Sequence, residues 1–339
     1  MAGRRIIRGG FTPIVDRFSG DSFQEISVND YVLAVVIVCL ASSLMGQNDS
    51  SPLQARISEL ESENQKLRNA NFVLSTLYQT RDPVAVEVPI AEGRRAKLLV
   101  AKDGWGDALA RDVAAVCSST AETILRVIQP ESTKEPTILI VPGDKVPMVI
   151  AHRGPSGEYV VLLTARDKHW SQFAYQFSHE LGHVLCGDLS PDQPQQWFEE
   201  AFCESLSIWA LEEMGNHWQI KPPYVNWKDY APHLSSYAKD VRDRVQTSDE
   251  ISVWYQKNRE ALSRNAYDRD SNLILAKHLA TVAQKDTKFY QSFYYLRRRV
   301  DPALASMEGV LGNWLDSCPE ELRSGPVAIG QLLGIKPHR

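Results

Sequence analysis

Cysteine is scarce in this chain, five residues in 339, which excludes a small disulfide-built scaffold. A basic excess is missing too: 37 lysines and arginines face 42 aspartates and glutamates, a formal charge of -5. Without such an excess there is no electrostatic footprint for a nucleic-acid backbone. Glycine and proline, at 19 and 18 residues, are at ordinary levels, so collagen-like and low-complexity architectures are excluded. No internal repeat of solenoid period is visible. What is present is 43% hydrophobic and 9% aromatic residues, enough for a packed core and too much for general disorder. The length carries a prior of about two domains.

Long apolar runs are nearly absent, with one exception. Residues 31–46 (YVLAVVIVCLASSLMG) are uncharged and mostly apolar on every side, which fits a single membrane anchor better than a cleaved leader or an amphipathic globular helix. Arg4, Arg5, Arg8 and Arg17 precede the run, whereas Arg56 and Lys66 follow it. The positive-inside bias therefore predicts a short cytoplasmic tail over 1–30, an anchor over 31–47 and the remainder outside the cytoplasm.

A helix start follows at once, with Ser51 as N-cap, Pro52 at the first helical position and Gln54 three residues after the cap. Leu53, Leu60, Leu67 and Leu74 recur at heptad spacing, with Ile57, Asn64, Asn71 and Tyr78 at the other seam position. Asparagine in that seam favours an in-register parallel pair, and Arg56 with Glu61 and Glu63 with Arg68 match in sign across it. The pattern predicts a parallel homodimer through residues 52–79, on a stalk (51–80) on the order of 40 Å long. The competing reading is one amphipathic helix packed on its own domain.

From residue 84 to 339 the pattern is that of one catalytic-sized domain. Strand-like runs stand at Ala96–Ala101 and Thr137–Val141, with a helical pattern near 107–128 between them. Val146–Ala151 and Glu158–Leu163 read as a hairpin joined by a Gly- and Pro-bearing turn. From Trp170 onward the pattern is helical, and residues 217–335 carry aromatics at helical spacing that suit a core. Strands first and helices after predict an α+β fold, with a small, mainly antiparallel sheet followed by a helical lobe.

Within the first of these helices stands His179-Glu180-Leu181-Gly182-His183. Histidines four apart share a helical face and can reach one metal ion, with Glu180 beside them to take a proton from an activated water. A second helix over 197–214 brings Glu200 as a third ligand, leaving a fourth position open for water. Glu204, one turn on, can accept from the far nitrogen of a ligand histidine. Glu199 has no acid four positions later and reads as a solvent-facing residue.

HELGH followed by WFEEAFCE resembles the gluzincin clan of zinc metallopeptidases, the group that contains thermolysin and the membrane alanyl aminopeptidases. The resemblance implies a zincin-like fold, one Zn2+ per chain held by His179, His183 and Glu200, Glu180 as general base, and Glu204 supporting His179. It also implies that an edge strand ahead of the motif helix binds extended substrate, here the 158–163 strand. A loosely placed clan tyrosine that stabilises the oxyanion points to Tyr267, with Tyr224 and His278 as alternatives. Two clan-related patterns are missing: the Gly-x-Met-x-Asn loop that grips a free N-terminus, and the metzincin continuation, where Cys186 and Leu189 stand in place of glycine and histidine.

The expectation is thus a membrane-anchored zinc metalloprotease, an endopeptidase acting on peptide or protein, with its catalytic domain outside the cytoplasm and no nucleic-acid partner. A dimeric scaffold with a structural zinc site and a zinc hydrolase of a non-peptide bond are the alternatives. Cys117, Cys186, Cys203 and Cys318 permit disulfides, with Cys186 and Cys203 as the pair to examine. Arg297, Arg298 and Arg299 read as cations favoured at a helix C-terminus.

Overall fold

The computed structural model describes residues 51–91, 93–130, 135–187, 193–286, 288–298 and 305–336. The expected cytoplasmic tail and the anchor at 31–47 lie outside the described residues. No described helix is long and apolar enough to cross a membrane.

The chain divides between Gln65 and Lys66 into two compact units, and the first helix, α1 (Ser51–Gln79), runs through that boundary. In the first unit Arg56 pairs with Glu59 one turn on, at 2.5 Å. The second unit begins within the helix. There Val73 is completely buried against Leu139, Val141, Ile150 and Val160, with Leu77 packed beside it. Leu67, Leu74 and Tyr78, which belong to the expected dimer seam, are 58%, 49% and 81% exposed. The helix thus turns Val73 and Leu77 to its own domain and leaves Leu67 and Leu74 exposed, while Asn64 of the expected seam is buried.

Five strands form one sheet in the order β1-β2-β3-β5-β4: β1 (Val84–Pro89), β2 (Arg95–Val100), β3 (Thr137–Pro142), β4 (Met148–Val149) and β5 (Tyr159–Leu163). The sheet is mixed, which corrects the expectation of a mainly antiparallel one. β1–β2 and β4–β5 are antiparallel, while β2–β3 and β3–β5 are parallel. The parallel pair β2–β3 needs a long crossover, and α2 (Ala110–Leu125) supplies it. β1 was hidden in the sequence because its burial is shallow: only Val88 is buried.

β3 is buried on both faces, which explains its unbroken Ile-Leu-Ile-Val run. Leu139 and Val141 meet α1, while Ile138 and Ile140 join the main core with α2 and α3 (Trp170–Cys186). The strand expected to be the open edge, 158–163, is interior, paired with β3 on one side and β4 on the other. The hairpin partner β4 is the edge.

Helices make up the rest: α4 (Gln196–Trp218), α5 (Ala231–Asp243), α6 (Ile251–Arg264), α7 (Arg269–Lys285), α8 (Lys288–Phe293), α9 (Met307–Ser317) and α10 (Ser324–Leu333). α4 is buried nearly all round, as suits a central helix, and α3, α5 and α7 pack on it. Phe202 of α4 stacks on Phe293 at 3.9 Å and on Phe289 at 4.9 Å. That contact docks α8 on α4 and brings the segment after α8, with Arg297, to the motif helices.

Candidate metal centre and cleft

His179 and His183 lie one turn apart on α3, with ring centroids 5.0 Å apart. Gly182 lies between them in the motif, and the reason is packing. A Cβ there would come within 2.7 Å of Cys203 Sγ, so the missing side chain lets α3 and α4 approach closely. This approach delivers the α4 carboxylates to the imidazoles.

Glu200 faces both rings. Its Oε2 is 3.2 Å from His179 Nε2 and its Oε1 is 3.6 Å from His183 Nε2. One ligand atom from each of His179, His183 and Glu200 lies within 4.8 Å of the others, and together they could hold a metal ion. The Nδ1 atoms turn outward to other carboxylates. His179 Nδ1 is 3.3 Å from Glu204 Oε2 and His183 Nδ1 is 2.7 Å from Glu199 Oε1. With each Nδ1–H held by a carboxylate, the Nε2 lone pairs are directed inward, the tautomer a metal ligand requires.

Glu199 overturns its expected place in solvent. It is 2% exposed, and its second oxygen accepts from Arg297 Nε at 2.9 Å. Arg297 is equally buried and also donates to the carbonyl of Pro194 at 2.9 Å. Its role is therefore an internal ion pair rather than a helix-dipole cation. No local spacing marks Glu199 for burial, because its partner comes from a segment 98 residues away. Glu204 is held differently, by the Tyr175 hydroxyl donating to its other oxygen. Tyr175 went unnoticed in the sequence, although it stands one turn before His179 on α3.

In the metal-free chain burial opposes charge on both rings, but the surrounding groups outweigh it. Hydrogen bonds donated to Glu200 and Glu204 hold His179 well above the ordinary imidazole range, and Cys203, Glu199 and Glu200 do the same for His183. Glu199 and Glu200 are held below the usual carboxylate range, because the histidines they face overcome the effect of burial. Glu180 goes the other way. Burial raises it, against the two histidines, and the backbone N–H of Val149 in β4 donates to its carboxylate.

These groups line a cleft of about 1040 Å³, bordered by β4 and its approach on one side and by α5 and the start of α7 on the other. Tyr267 lines this cleft at 65% exposure. Its alternatives do not: Tyr224 sits beside Asp112 of α2, and His278 is on α7 away from the lining. Tyr237 lines the cleft and was not foreseen; its ring lies 5.6 Å from that of Tyr175. All four described cysteines are free and buried, so Cys186 and Cys203 are not joined. No protein-family model matches the chain, and a search of curated proteins finds no match to its sequence.

Proposed function

We propose that the chain is a zinc-dependent metallopeptidase of gluzincin type, an endopeptidase, anchored in a membrane by residues 31–46 with its domain outside the cytoplasm. One observation carries this reading: two Nε2 atoms and a carboxylate face one another, each imidazole is backed by its own carboxylate, and a buried glutamate stands next to them in an open cleft. Nitrogen and oxygen donors in a set of three, with room for a fourth, suit Zn2+ at a catalytic rather than a closed structural site.

His179, His183 and Glu200 would hold the ion. When bound there, zinc acts as a Lewis acid and brings the pKa of a water toward about 7. Glu180 accepts the proton of the attacking water and returns it to the leaving amine. Its burial favours the protonated form it must pass through, and the Val149 N–H keeps the carboxylate oriented while it waits as base. Glu204 and Glu199 hold the two rings in register. β4, a short edge strand beside Glu180, offers its free side to an extended peptide by strand addition. Tyr267 is the proposed donor to the developing oxyanion. The exposed Leu67 and Leu74 stripe supports pairing of two chains through residues 52–79.

The test is metal content together with cleavage of an unfolded protein by the full chain, beside Glu180→Gln. One zinc per chain, with cleavage that falls by about 10²–10⁴-fold in the variant, is the expected result. Bound zinc without cleavage of any peptide substrate would leave a structural site or a non-peptide hydrolase. A full chain that sediments as a monomer would remove the dimer.

A further inference from the structure

Three cations border the cleft with no carboxylate partner among the described residues: Lys145, Arg244 and Arg269. Their neighbours behave otherwise. On α5, Lys239 pairs with Asp243 and Arg242 with Glu212; before α7, Arg264 pairs with Glu260. Salt bridges thus form on these same helices, and Lys145, Arg244 and Arg269 stand at the cleft without one.

Arg269 is the first residue of α7, where the positive end of the helix dipole disfavours a cation. Lys145 stands in the turn before β4, exposed. Arg244 follows the last residue of α5, where a cation suits the helix dipole, and it lines the cleft together with Tyr175, Tyr237 and His179. One carboxylate, Asp270, shares this border. Deeper in, Glu199, Glu200 and Glu204 already face histidines or Arg297. Apart from Asp270, the acids of the cleft belong to its own machinery, while its exposed cations face the opening.

We propose that this cleft selects acidic peptides: chains with aspartate or glutamate side chains flanking the bond that lies over Glu180. The proposal rests on the peptidase reading of the site and adds its substrate class. A strand laid along β4 would have Lys145 on the sheet side and Arg244 and Arg269 on the helical side. Guanidinium groups at such a border hold carboxylates in two-pronged geometry and raise the rate of encounter with anionic partners.

The experiment compares three peptides of one length, with glutamate, alanine or lysine at the flanking positions, on the zinc-loaded full chain. The expected kcat/KM is about tenfold higher for the glutamate than for the lysine peptide at low salt, a ratio that narrows as salt screens the charges. The paired substitution Arg244→Glu and Arg269→Glu should invert the order, and Arg244→Gln should weaken it. Both positions are exposed, and circular dichroism checks the fold of each variant. Binding of the same fluorescent peptides to Glu180→Gln separates the two claims. Selective binding of the glutamate peptide with no turnover by the wild type would sink the peptidase and keep the acidic-ligand cleft. Equal binding and equal cleavage of all three peptides, or a preference unchanged by the double reversal, would overturn the proposal.

Discussion

His179 and His183 share a helical face and turn their Nε2 atoms to the same carboxylate, yet what stands behind each ring differs. Behind His183 is a sealed ion pair, Glu199 with Arg297, both almost without solvent contact. Behind His179 is Glu204, 17% exposed and steadied by the neutral hydroxyl of Tyr175. The two arrangements orient their rings alike, but they store risk differently. A sealed pair is costly to break because the survivor is a buried, uncompensated charge. A phenol-held carboxylate at the cleft wall can turn to water.

The largest effect should come from breaking the sealed side. Glu199→Gln leaves the Arg297 cation unpaired and is expected to cost about 3–5 kcal/mol in denaturant unfolding. Adding Arg297→Met to that variant should recover most of the loss, since a matched apolar replacement removes the stranded charge. If Glu199→Gln alone unfolds at the wild-type midpoint, the ion pair does not hold this side together. On the open side, Glu204→Gln should weaken zinc affinity by about 10–100-fold while changing stability by about 1 kcal/mol or less. Isothermal titration and denaturant melts on one preparation would separate the two quantities, and a stability loss as large as that of Glu199→Gln would erase the distinction.

A pH series sharpens the same contrast. Zinc must displace protons from the two Nε2 atoms, whose carboxylate neighbours hold the rings protonated above the ordinary imidazole range. Apparent zinc affinity should therefore rise with pH through neutrality and level off above the raised values. In Glu204→Gln one of the groups that raises His179 is lost, so the curve should move toward lower pH; a curve that does not move would show that Glu204 has no hold on that ring. The smallest effect is expected from Tyr175→Phe, about 1 kcal/mol or less in stability and a few-fold in zinc affinity, because Glu204 keeps access to water. A loss of metal binding equal to that of Glu204→Gln would mean that the hydroxyl, not the carboxylate, orients His179.

The helical part of the centre was legible in the chain because its logic is local. His179 with His183, and Glu200 with Glu204, are neighbours through the pitch of a helix, so spacing alone puts each pair on one face. Glu199 was misjudged for the complementary reason. A carboxylate is buried only where a cation arrives to meet it, and Arg297 arrives through the packing of Phe289 and Phe293 on Phe202, which no local pattern announces. The sheet divides in the same way. β2, β3 and β5 are visible as apolar runs, but which strand forms the edge depends on pairing order, and the short β4 took the place expected of β5.

By itself the sequence determined the elements whose partners lie within a few turns: the motif helix, the glutamate-bearing helix, and the heptad stripe of α1. Only the tertiary structure decided which face of α1 is covered, which strand forms the sheet's edge by the cleft, which acid backs His183, and which cations border the cleft. The reason is physical. Periodicity tells which side of an element turns from water, whereas desolvation and charge pairing depend on what another part of the chain brings to that side.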